Sequence, residues 1–140
     1  MILLGVDLGD RRVGFAVTDA DELLAVPSGF ARVRSLDDAL AAVTAKAREE
    51  QAGLVVLGHP INMDGRPGPK AKEAAGFADM LREAGLTVEL WDERLTTSEA
   101  ERLLKQAGHN RRQRKTLIDA NAAQRLLTSF LSCRKRDGGA

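Results

Sequence analysis

Ile2-Leu3-Leu4-Gly5-Val6-Asp7 is apolar on both alternating faces until it ends in a carboxylate. A strand of that pattern belongs inside a sheet that is covered on both sides. After the turn Gly9-Asp10-Arg11-Arg12, residues 13–18 (Val-Gly-Phe-Ala-Val-Thr) form a second strand, so a hairpin is expected. A third extended stretch, from about Leu24 to Val33, is interrupted by Pro27 and Gly29, which predicts an edge strand or a bent one.

Beyond the hairpin the period changes. Ser35 followed by Asp38 reads as a helix start, and Leu36, Leu40, Val43 and Ala47 recur at helical spacing to about Gln51. Leu54-Val55-Val56-Leu57-Gly58 is another buried strand, and residues 59–69 are a Gly/Pro-rich loop. A helix from about Lys70 to Ala84 stops at Gly85, before a strand from Leu86 to Trp91. Thr96 and Glu99 have capping-box spacing for a helix to about Ala107, and a last helix is expected from about Thr116 to Ser132. This order predicts an α/β fold with a mixed five-stranded sheet: three antiparallel strands, then two parallel ones, with helices on both faces.

The length, 140 residues, fits one domain over 1–140, with about 134–140 as a disordered basic tail. A single cysteine, Cys133, and the lack of a basic-then-apolar opening favour a reducing, cytoplasmic setting. No apolar run approaches the roughly 20 residues that cross a bilayer, so no membrane role is expected. The net charge of +1 hides an asymmetry. Residues 105–136 carry nine Lys/Arg against one acid, Asp119, a net +8, whereas all other positions carry 12 basic and 19 acidic residues, a net −7. Clustered cations of that kind meet polyanions, although a solvated helix face with a ragged basic tail has the same composition.

Three acids stand in costly places. On a helix Asp119 shares a face with Ala122, Ala123, Leu126, Leu127 and Phe130, near the middle of the apolar stripe. An isolated buried carboxylate is strongly unfavourable unless a charge, hydrogen bonds or a metal compensates it. The alternative is a first-turn acid held by the helix dipole. Asp7 ends a buried strand, on the face of Leu3 and Gly5, and Glu93 follows another strand just before a capped helix; acids at strand ends are also common in plain turns. The three can converge only where the last helix crosses the sheet. Carboxylates so placed suit hard cations such as Mg²⁺, and paired ions about 4 Å apart clamp the attacking and leaving oxygens of a phosphodiester.

The rest of the inventory argues against other hydrolytic chemistry. His59 and His109 are the only histidines, too few for a zinc site with the lone Cys133. No serine has the context of a nucleophile elbow. The loop from Asn62 through Asp64 to Pro69 leads into a helix N-terminus that could meet phosphate, or is an ordinary connection, and His59 is either a loop residue near substrate or inert. The basic loop Arg111, Arg112, Arg114 and Lys115, just before the Asp119 helix, could hold substrate phosphates with little sequence specificity.

Four segments together resemble the YqgF/RuvX family, described as Holliday junction resolvases and as pre-16S ribosomal RNA nucleases. They are Asp7-Leu8-Gly9-Asp10-Arg11-Arg12-Val13-Gly14 and its continuation to Asp19, Gly58-His59-Pro60-Ile61-Asn62-Met63-Asp64-Gly65, Asp92-Glu93-Arg94-Leu95-Thr96-Thr97, and Ile118-Asp119 followed by Ala122-Ala123. The Asp-x-Gly turn alone also occurs in sugar-kinase and actin-like ATPases, but those close two lobes over a nucleotide. The resemblance implies a ribonuclease H-like fold and an acidic triad at Asp7, Glu93 and Asp119 that binds Mg²⁺ or Mn²⁺. It also implies that Arg12, Arg94, Thr96 and Thr97 support the site or the substrate. The expected function is a two-metal endonuclease maturing the 5′ end of 16S ribosomal RNA. Resolution of four-way DNA junctions is the near rival, and a non-catalytic nucleic-acid-binding module is the rival of another class. Paired cuts in a symmetric junction would call for a homodimer.

Overall fold

The computed structural model describes residues 1–61, 64–93 and 122–136. Over these, the elements follow in the order β1 (Leu3–Leu8), β2 (Arg12–Thr18), β3 (Ala25–Arg32), α1 (Leu36–Glu50), β4 (Leu54–His59), α2 (Pro69–Glu83), β5 (Val88–Asp92) and α3 (Ala122–Arg136). The five strands form one sheet of order β3-β2-β1-β4-β5. β1 pairs antiparallel with β2 and parallel with β4, β2 pairs antiparallel with β3, and β4 pairs parallel with β5. This is the mixed sheet that the strand order predicts. β3, which carries Pro27 and Gly29, lies at an edge, and its register with β2 shifts between Gly14 and Ala16.

Alternation along the central strand explains why it is apolar on both sides. Leu4 and Val6 face a core shared with Val13, Phe15, Val55 and Leu57 and roofed by Val43 of α1 and Phe77 and Leu81 of α2. Leu3 faces the opposite core, where Ala16, Ala25, Leu54 and Val56 meet Ala123, Leu126, Leu127 and Phe130 of α3. At the crossing, a Cβ on Gly5 would lie 3.0 Å from the Ala123 carbonyl oxygen and 3.1 Å from Leu127 Cβ, so the glycine permits α3 to settle directly on β1. Trp91 anchors the same helix, edge-on to Phe130 at 5.3 Å between ring centres, with its indole N–H donating to Ser129 Oγ (3.1 Å).

The helix ends follow local chemistry. Ser35 Oγ accepts from the Asp38 N–H (3.1 Å), and the Asp38 carboxylate accepts from the Arg34 N–H (2.9 Å), which satisfies two free donors at the start of α1. Gln51, at φ 58°, closes that helix, and Gly85, at φ 97°, closes α2. The expected helix from Thr96 to Ala107 and the start of the last helix lie outside the described residues. α3 continues past Ser132 to Arg136, into what the sequence reading takes as tail. There Arg134 pairs with Glu22 (3.0 Å) and lies over the Phe130 ring at 5.8 Å.

Candidate active site

The parallel strands β1, β4 and β5 end along one edge of the sheet, the place where open α/β sheets gather their ligands. Asp7 is the next-to-last residue of β1 and shares the α3 face with Leu3 and Gly5. Glu93 follows β5 directly. Its backbone N–H donates to the His59 carbonyl at the end of β4 (3.1 Å), which holds the chain against the neighbouring strand.

Gly58 makes room for the side chain. A Cβ there would fall 2.2 Å from Glu93 Oε1 and 3.0 Å from its Cδ, so the Glu93 carboxyl lies directly on the β4 backbone. The register that pairs Val6 with Leu57 brings Gly58 beside Asp7. The two carboxyl groups meet there and are hydrogen-bonded to each other. Together with Gly58 they line a cleft of about 220 Å³, bounded by the Gly9-Asp10 turn and by α2 at Lys70 and Ala74.

The electrostatics of the pair follow from burial. Loss of water raises the Asp7 carboxyl above its ordinary range, against the opposing effects of the Glu93 hydrogen bond and of Arg125 and Arg12. Glu93 is pushed up to about 7, first by burial, then by the charge of Asp7 and the hydrogen bond between them; Arg125 opposes this and Asp92 adds to it. The pair therefore holds a proton readily and a second negative charge poorly. Positive charge comes from α3, where Arg125 Nε is buried with no hydrogen-bond partner among the described residues.

The adjoining turn is built for close approach. The Gly9 N–H donates to the Arg12 carbonyl (2.9 Å), and a Cβ on Gly9 would lie 2.8 Å from that same oxygen. Lys70 at the start of α2 pairs with Asp10 of the turn.

Of the residues singled out in the sequence, the structure brings Asp7 and Glu93 together and sets Arg12 within electrostatic reach of Asp7. His59 is half-buried at the end of β4, with its carbonyl accepting from Ile61 as well as from Glu93. Asp64 is exposed, and its carboxylate accepts from the Arg66 N–H (2.9 Å) within its own turn, away from the pair's lining. Asn62, Arg94, Thr96, Thr97, Arg111, Arg112, Arg114, Lys115 and Asp119 lie outside the described residues. Sequence reasoning passed over Arg125 and Gly58. A signal existed for the first: Arg125 is the only charged residue in positions 120–133. For Gly58 none was available, because its role depends on which strands are neighbours.

A family model described as "RuvX: Holliday junction resolvase" matches residues 1–133. The chain belongs to the RuvX family. Among its RuvX relatives, a protein of Myxococcus xanthus named "Putative pre-16S rRNA nuclease" is 43% identical over 136 residues, covering 96% of this chain and 90% of that protein. A protein of the same name from Anaeromyxobacter sp. (strain Fw109-5) is 42% identical over 135 residues, covering 96% and 98%. In structure the chain is similar to Thermus thermophilus RuvC, with a TM-score of 0.58, 18% identity, and 99% and 97% of the two chains covered. It is similar also to T. thermophilus RuvC in complex with a Holliday junction substrate, with a TM-score of 0.55, 17% identity and 96% of each chain covered. At that identity the likeness concerns the fold: this RuvX member has the RuvC-like ribonuclease H architecture.

Proposed function

We propose that this chain is a metal-dependent endonuclease that hydrolyses phosphodiester bonds at the 5′ end of pre-16S ribosomal RNA. The observation that carries the reading is the meeting of Asp7 and Glu93 across the bare backbone of Gly58, in a cleft at the ends of the central strands. Two touching, half-buried carboxyl groups repel each other once ionised, so a divalent cation suits the place their shared proton holds. Among the described residues no group of three His, Cys, Asp or Glu side chains could hold a metal, so this pair would need a further ligand. Asp119 is that ligand in our reading. Four positions separate it from Ala123, whose carbonyl lies against Gly5, and two separate Gly5 from Asp7.

Bound Mg²⁺ or Mn²⁺ supplies charge stabilisation to the attacking and leaving oxygens of the phosphodiester. The protein's own groups do the rest. Asp7, Glu93 and Asp119 would hold the cations, and Gly58 leaves room for the Glu93 carboxylate beside Asp7. Arg125 and Arg12 offset the charge of the acids and of the incoming phosphate. No nucleophilic side chain is needed, since water attacks.

The names of the relatives favour the ribosomal RNA precursor, and the description of the family model favours a four-way DNA junction. Incubating both substrates side by side with Mg²⁺ or Mn²⁺ separates them. Cleavage of the precursor alone is expected, and Asp7→Asn, Glu93→Gln and Asp119→Asn should each lower it by at least about a hundredfold. Failure to cut either substrate would overturn the hydrolase reading. If Asp119→Asn left both the cellular role and the binding intact, the chain would be a nucleic-acid-binding module instead.

A further inference from the structure

The β1–β2–β3 side of the sheet extends past the acid pair and shares Arg12 with it. The register pairs Asp7 with Gly14 and Gly14 with Phe30, so the three stand in one row across three strands and on one face. The next row pairs Arg12 with Arg32, again on that face. Phe30 is 56% exposed, so its ring is open to solvent on that face. The Arg12 guanidinium lies 5.4 Å from the centre of its ring. Arg12 and Arg32 are exposed, and among the described residues neither forms a salt bridge, although Arg12 lies within electrostatic reach of Asp7. Between Asp7 and Phe30 the floor is bare. A Cβ on Gly14 would meet only Asp7 Cβ, at 3.8 Å, among the described residues.

We infer that Phe30, with Arg12 and Arg32, is a stacking platform for an unpaired nucleobase beside the phosphodiester held at Asp7. Two strand spacings put Phe30 about 10 Å from Asp7, within reach of a nucleotide next to the one being cut. An exposed ring flanked by two exposed guanidinium groups fits a polyanion whose bases can splay out. A base inside a duplex has both faces covered by its neighbours, so only an unpaired one can lie on the ring. The inference deepens the nuclease reading and rests on it for the position of the cut: it names the substrate as one with single-stranded nucleotides next to the scissile bond.

Fluorescence anisotropy with the full chain in the Asp7→Asn background tests binding without cleavage. The probes are a short single-stranded RNA and a blunt RNA duplex of the same length. Phe30→Ala should weaken single-strand binding by roughly tenfold and leave duplex binding unchanged, and Phe30→Trp should restore it. The exposed position predicts an unchanged melting temperature. Equal single-strand affinity of Phe30→Ala and the parent would overturn the inference. So would equal losses on both probes, or a fall in sedimentation coefficient showing that Phe30 joins two copies of the chain. The two readings fail separately. Cleavage that persists with no effect of Phe30 removes the platform alone, whereas selective binding without any cleavage by the unmutated protein removes the nuclease alone.

Discussion

Burial and the neighbouring Asp7 push the Glu93 carboxyl up to about 7, and the loss of its proton has a thermodynamic signature. Between about pH 4.5 and 7 the folded chain keeps a proton on Glu93 that the unfolded chain has already released. The cation-free protein therefore loses stability as pH rises through that window and levels off above it. Glu93→Gln should flatten the slope and add on the order of 1–2 kcal/mol at pH 8, after allowance for solvent screening of a partly exposed group; urea titrations at several pH values measure it. Gly58→Ala tests the geometry behind the shift. The added methyl group falls on Glu93 Oε1, so the flexible side chain swings away while the strand survives. The expected outcome is a loss of about a hundredfold in cleavage rate with little change in melting temperature, and a Glu93 carboxyl that moves back toward its ordinary range in carbon-13 NMR titration. Asp7 was legible in the sequence as an acid ending a strand too apolar to tolerate it. Gly58 was not, since nothing local to Leu54–Gly58 announces that a side chain from β5 will lie on it.

The elements were easier to read than their docking. The double-sided apolar run of β1 predicted a covered central strand, and the Ser35–Asp38 spacing predicted the start of α1, because both signals arise within a few residues. Ser35→Ala should cost about 1 kcal/mol, read from the urea midpoint. α3 runs on past its apolar stripe, and there Arg134 pairs with Glu22, a contact that no helical periodicity reveals. How α3 meets β1 depends on Gly5. Gly5→Val would drive a branched side chain into the backbone of Ala123 and the Leu127 side chain, at an expected cost of about 1–3 kcal/mol. The same substitution should lower cleavage, since α3 also carries Arg125 toward the acid pair. Normal stability with Gly5→Val would mean that α3 sits further from the sheet than described.

For the whole molecule, the acid pair predicts a coupling between folding and divalent cations. Mg²⁺ or Mn²⁺ at a hundred times its dissociation constant should stabilise the fold by about 2.7 kcal/mol, seen as a rise in melting temperature that Asp7→Asn abolishes. Magnesium-independent melting of the unmutated protein would count against a cation at this site. The sheet also has a quieter property. β3, one of its two outer strands, carries Pro27, which has no N–H to offer, and Gly29 at φ 81°, which turns the backbone out of the extended path. A strand carrying both departures from regular extended backbone within three residues offers a second molecule an irregular edge. The rim that leaves Phe30 and two arginines open to solvent is thereby a poorer template for fibril growth than a regular edge strand would be.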